Sequence, residues 1–158
     1  MEELKEYLAG IVSAFERQPA ELERALAAVG PKELHAPLEP GGWSAHQVLA
    51  HTVAVDGQAL LPRLLRILDE ERPQLPDWDG DGWMQSAYDA QAQVEAMLAE
   101  FSQGRQSVAA RLASVDGQTW NRTGVHPLRG ERTLLWWLEY SVDHVRQHLE
   151  QIGQHDVG

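Results

Sequence analysis

Apolar residues in this chain recur at three- and four-residue intervals over long stretches, and that period commits most of it to amphipathic helices. Four such stretches follow one another, separated by loops rich in proline and glycine. The first runs roughly from Glu2 to Val29, with Leu4, Leu8, Ile11, Val12 and Phe15 at helical spacing, and Gly30-Pro31 stops it. Pro19 is expected to divide it, because a proline suits a first turn better than a helix interior. The second stretch follows Trp43-Ser44. Ser44 is a good N-cap, Gln47 completes a capping box, and Trp43 can close a hydrophobic staple onto Val48. This stretch extends to about Glu71, with a kink expected at Pro62. The third lies between about Met84 and Ser114, where Gly104 costs about 1 kcal/mol relative to Ala. The fourth runs from about Glu131 to Ile152 and ends at Gly153. No segment reads as a strand pair. The expected fold is all-α, a four-helix bundle built as one domain from residues 1–158.

Charge and composition then narrow the function. The net charge is −11, from 13 basic and 24 acidic residues, and no basic cluster offsets it. Nucleic acid and anionic membrane surfaces are therefore not expected partners. There is no run of 18 apolar residues to span a bilayer, and the amino terminus lacks the basic-then-apolar pattern of a secretory signal. A cytoplasmic protein is expected. Without cysteine the chain has no thiolate of its own. Any metal must be held by His, Asp or Glu, and any thiol chemistry must bring its thiol from outside.

Seven histidines are present, and position sorts them. His144 and His148 are one turn apart, about 6 Å along a helix axis, on a stripe with Trp137, Ser141, Val145 and Ile152. His51 falls between Val48 and Val55 on the buried stripe of the second helix. A single core histidine is usually satisfied by a hydrogen bond. Three in one apolar stripe would all need polar partners. One divalent ion answers that need, because it uses the neutral imidazole lone pairs and keeps a coordination position open. His51, His144 and His148 are thus the candidate metal ligands. His35 and His126 in loops, His46 facing away from His51, and His155 in the tail are expected at the surface. The segment His144–His148 is not a zincin motif, since Val145 stands where the glutamate base would be.

Several weaker signals have plainer explanations. Asp77, Asp79, Asp81 and Gly82 fit the opening of a calcium loop, but Tyr88 stands where a bidentate glutamate is required. An acidic turn capping the third helix is the better reading. Asp56 and Asp143 are candidate acceptors for ligand imidazoles, yet both are offset on their helices and are expected at the surface. Trp136, Trp137 and Tyr140 can line an apolar pocket, though a bundle core needs such rings anyway, and Arg129 can meet an anionic substrate, though an exposed loop arginine is the commoner explanation.

Taken together, Gly42-Trp43-Ser44 with His51, Arg72-Pro73, the acidic turn ending in Trp83, His126-Pro127-Leu128-Arg129-Gly130-Glu131 and Asp143-His144 through His148 to Ile152 resemble the DinB/YfiT-like family of metal-binding four-helix bundles. The resemblance covers nearly the whole chain. It implies metal ligation at His51, His144 and His148, with zinc or nickel the usual occupant, and often a homodimer. It also implies a reaction on a small molecule, either S-transfer with a low-molecular-weight thiol as cosubstrate or metal-dependent hydrolysis. A metal-binding, stress-associated bundle without turnover is the alternative, and a homodimeric scaffold with empty histidines is a third.

Overall fold

The computed structural model describes residues 1–153. Its helices are α1 (Glu2–Val29), α2 (Ala45–Val55), α3 (Leu61–Asp69), α4 (Gly80–Ser86), α5 (Val94–Leu112) and α6 (Leu134–Gly153). A π-helical turn, Asp56–Leu60, joins α2 to α3. Four rods result: α1, the continuous α2–α3, α5 and α6. The α1 and α2–α3 rods each pack against both α5 and α6, forming a four-helix bundle. No described helix is long and apolar enough to cross a membrane.

Two apolar clusters fill the bundle. Phe15, Leu64, Ile67, Val108, Leu134 and Trp137 lie in one, and Leu22, Val48, Leu49, Phe101, Val145 and Ile152 in the other. The predicted cap of α2 forms as expected: the Ser44 hydroxyl accepts from the Gln47 backbone, and the Gln47 side chain accepts from the Ser44 backbone N–H. Trp43 packs into the cluster that contains Val48.

Both proline expectations are modified. Pro19 does not divide α1, which runs unbroken across it. A proline cannot donate to the carbonyl four residues back, here that of Phe15, and the Arg105 side chain donates to it at 3.1 Å instead. At Pro62 the irregularity takes the form of the π turn just before it, where the Leu61 N–H bonds Asp56, five residues back. The third predicted helix is in fact two, because residues 87–93 are non-helical between α4 and α5.

The expectation of no strand pair is also corrected. Thr123–His126 and Gly130–Thr133 form an antiparallel hairpin, β1 and β2, so α6 starts at Leu134 rather than Glu131. The segment after α3 adds to its outer edge: Leu75 N–H bonds Val125, and Val125 N–H bonds Pro73. Arg72 forks onto Glu131 at 3.0 and 3.1 Å. Each strand has only four residues, and Gly130-Glu-Arg-Thr133 carries no apolar alternation. The pairing is held by docking, not by pattern.

A third correction concerns Asp56, expected at the surface but 1% exposed. It makes a two-bond pair with Arg105 at 2.9 and 3.0 Å, and Arg105 also donates to Gln18 at 2.9 Å. The Arg105 guanidinium lies between the rings of Phe15 and Phe101. Burial pushes the Asp56 carboxyl above its usual range, and Arg105 opposes that push. Asp143 is exposed, as expected.

Candidate metal centre

The capped start of α2 and the core stripe of α6 bring His51, His144 and His148 together. One ring nitrogen from each of the three lies within 4.8 Å of the others. His144 and His148 follow from the one-turn spacing of an α-helix, and their Nε2 atoms are 3.1 Å apart. His51 reaches them across the bundle, with ring centroids 5.5 Å from His144 and 4.9 Å from His148. Aromatic walls flank the group. Trp43 lies 4.9 Å from His51, and Tyr140 is nearly parallel to His144 at 6.5 Å. Gly80, at the start of α4, comes close over His51: a Cβ there would sit 3.4 Å from the imidazole Cε1.

The hydrogen-bond pattern suits metal ligation. Nδ1 of His148 faces the Gln151 side-chain oxygen at 2.9 Å and must donate to it, leaving a bare lone pair on Nε2. Nδ1 of His51 and of His144 are buried without a partner among the described residues. Electrostatics point the same way. Burial, and then His148, push His51 down to about 4; burial, then His148 and His51, push His144 down to about 3. Burial also lowers His148, against the pull of Gln151. At neutral pH all three imidazoles are uncharged, the form that binds a cation.

Two histidines expected at the surface are buried. His46 is 1% exposed, with Nδ1 2.6 Å from the Tyr88 hydroxyl and Nε2 2.8 Å from the Ala92 carbonyl. Both nitrogens are therefore used structurally, tying α2 to the loop before α5. His126 is 3% exposed, and its Nδ1 accepts from the backbone N–H groups of Leu128 and Arg129. That bond pair shapes the hairpin turn; the adjacent Pro127 and Gly130 were its only sequence signal. His35 is exposed, as expected, and His155 lies outside the described residues. The acidic turn behaves as predicted, with Asp79 capping α4 through Gly82 N–H.

The chain has relatives of known family and fold. Residues 14–152 match the DinB superfamily. A Bacillus mycoides (strain KBAB4) protein named "Putative metal-dependent hydrolase" is 25% identical over 141 residues, covering 89% of this chain and 80% of that protein. A Bacillus cereus (strain B4264) protein of the same description matches to the same extent. Among solved structures, YfiT from Bacillus subtilis, described as "a probable metal-dependent hydrolase with an unusual four-helix bundle topology", superposes with a TM-score of 0.86 at 26% identity. That superposition covers 94% of this chain and 85% of YfiT. The four-helix bundle protein TT2238 shares the fold, with a TM-score of 0.62 at 24% identity over 90% of this chain and 95% of its own. The match spans the helices that carry all three histidines, and the chain belongs to the DinB superfamily.

Proposed function

We propose that this chain is a metal-dependent enzyme acting on a small molecule, with His51, His144 and His148 holding a divalent transition metal, zinc or nickel. The observation that carries the reading is the convergence of one ring nitrogen from each of three uncharged imidazoles within 4.8 Å. A divalent ion supplies Lewis acidity there, lowering the pKa of a water for hydrolysis or of a low-molecular-weight thiol for S-transfer. The chain's own residues orient and enclose. Gln151 fixes the His148 tautomer, and Trp43 and Tyr140 wall the site. Among the described residues no carboxylate hydrogen-bonds to the triad, and the acid whose charge acts on His51 is Asp81. Val145, standing where a zincin has its glutamate base, supports thiol transfer, whereas the relatives' names support hydrolysis.

Elemental analysis of untagged protein tests the metal first, with about one equivalent per chain expected of a three-histidine site. Less than about one equivalent per several chains overturns the reading. Turnover of an electrophile with a panel of small thiols, against ester and amide hydrolysis without thiol, separates the two reactions. Metal binding with neither activity would leave the non-catalytic bundle, whose melting temperature should then fall on chelation. The family resemblance also supports a homodimer, which light scattering on the eluting protein tests.

A further inference from the structure

Arg105 and Arg63 are both buried, at 1% and 7% exposure, but only one is satisfied. Arg105 has a carboxylate, an amide and a carbonyl. Arg63 has a single long bond to the Pro76 carbonyl at 3.4 Å, and its Nε is buried without a partner. A buried guanidinium without a counter-ion is costly, and this chain carries a surplus of acids yet leaves it without an ion pair among the described residues. The acid whose charge acts on it, Asp77, is 54% exposed and lies 3.4 Å from His126 Nε2.

Other unmatched donors surround Arg63. Its guanidinium lies over the Trp137 ring at 4.9 Å, and the Trp137 indole N–H is buried without a partner. His126 is 5.7 Å from Trp137. With both turn N–H groups on its Nδ1, its proton sits on Nε2, whose polar neighbour among the described residues is the half-exposed Asp77 carboxylate at 3.4 Å. Arg129 donates to the Tyr140 hydroxyl at 2.8 Å, lies over that ring, and forms no ion pair among the described residues. Its charge and that of Arg63 act on each other and on His126. Two cations and two neutral donors thus lie together, and among the described residues the half-exposed Asp77 is the one carboxylate whose charge reaches Arg63 and His126.

The cluster is continuous with the triad. Trp137, Tyr140 and His144 follow one another along α6, with ring separations of 5.7 and 6.5 Å. Seven residues of helix separate Trp137 from His144, about 10 Å. We propose that Arg63 and Arg129, with the N–H groups of Trp137 and His126, form a subsite for an oxyanion, a carboxylate or phosphate, at the far end of the small molecule whose reacting end meets the triad. The substrate is thus an anion whose charge lies about 10 Å from its reacting atom. This rests on the triad as the reacting centre, but anion binding itself needs no metal.

The test is titration of the full chain, metal-free and metal-loaded, with succinate and with inorganic phosphate at constant ionic strength. The readout is the indole N–H resonance of Trp137, assigned by its loss in Trp137→Phe. A saturable shift is expected with at least one anion and none with succinamide; the tighter anion identifies the class. Arg63→Met and Arg129→Gln should each weaken binding about tenfold. No saturable shift in the wild type, or equal binding by folded variants, overturns the proposal. If Arg63→Met does not fold, the exposed Arg129→Gln decides alone. Anion binding without metal uptake would remove the triad reading and keep the subsite; metal uptake without anion binding would do the reverse.

Discussion

Arg105 donates to the Phe15 carbonyl at 3.1 Å, the acceptor that Pro19 leaves unserved inside α1. The same guanidinium holds Asp56 and Gln18, and Gln18 in turn donates to the Val142 carbonyl on α6. One buried side chain therefore mends a helix and links three rods.

Removing half of that pair should be costly. Asp56→Ala leaves Arg105 charged and unpaired in the core, and a loss of about 3–5 kcal/mol is expected in urea unfolding. The double change Asp56→Leu with Arg105→Met should recover much of it, though not the bond to Phe15. A double variant as unstable as Asp56→Ala would contradict this account.

Gln151 holds the His148 ring through the hydrogen bond to its Nδ1. Gln151→Ala frees the His148 ring to turn and swap tautomers, so zinc affinity should fall about 10- to 100-fold in a chelator competition. His46→Gln should destabilise the fold through Tyr88 and Ala92 while leaving zinc affinity unchanged. Equal affinity losses in the two variants would mean that general loosening, not ligand orientation, is being measured.

The triad also predicts a pH dependence for the metal-free protein. In the unfolded chain each histidine titrates near 6.5; in the folded one His51 does so at about 4 and His144 at about 3. Between those values the unfolded state holds more protons, so stability falls as pH falls from about 6.5, and is level above it. Denaturant midpoints between pH 8 and pH 5 check this, and His144→Ala should show a shallower decline. A midpoint constant down to pH 5 would refute it.

Gly124 lies where β1 presses on the core. A Cβ there would meet Leu75 Cδ1 at 2.7 Å and Ile67 Cγ1 at 3.1 Å, so Gly124→Ala should cost about 1–3 kcal/mol. Leu75→Ala in the same chain should relieve part of the overlap, making the two changes non-additive in thermal unfolding.

The triad was legible because helical period and buried stripe are properties of nearby residues: His144 and His148 needed only their spacing, and His51 only its place after Ser44. The capping box was legible for the same reason. What escaped depends on partners far along the chain. Asp56 is a surface acid by local pattern and a core residue only because Arg105, forty-nine positions on, reaches it. His46 and His126 were misplaced because Tyr88, Ala92 and a hairpin turn bury them. The hairpin itself is two four-residue strands steadied by Arg72 and Glu131, fifty-nine positions apart. Pro19 misled because its helix is repaired from outside.

The π turn at Asp56–Leu60 sets the phase between the two halves of its rod. Upstream, the helix is aimed so that His51 meets α6; downstream, it is aimed so that Arg63 lies over Trp137. One extra residue in the turn is the offset between those two aims. Winding the same residues as ordinary helix, with none removed, would rotate everything after them by up to about 100°. His51 would keep its neighbours, and Arg63 would swing off α6 toward another face of the rod. The turn thus works as a fixed coupling between two stations on one shaft, and their alignment is encoded in a single residue of length.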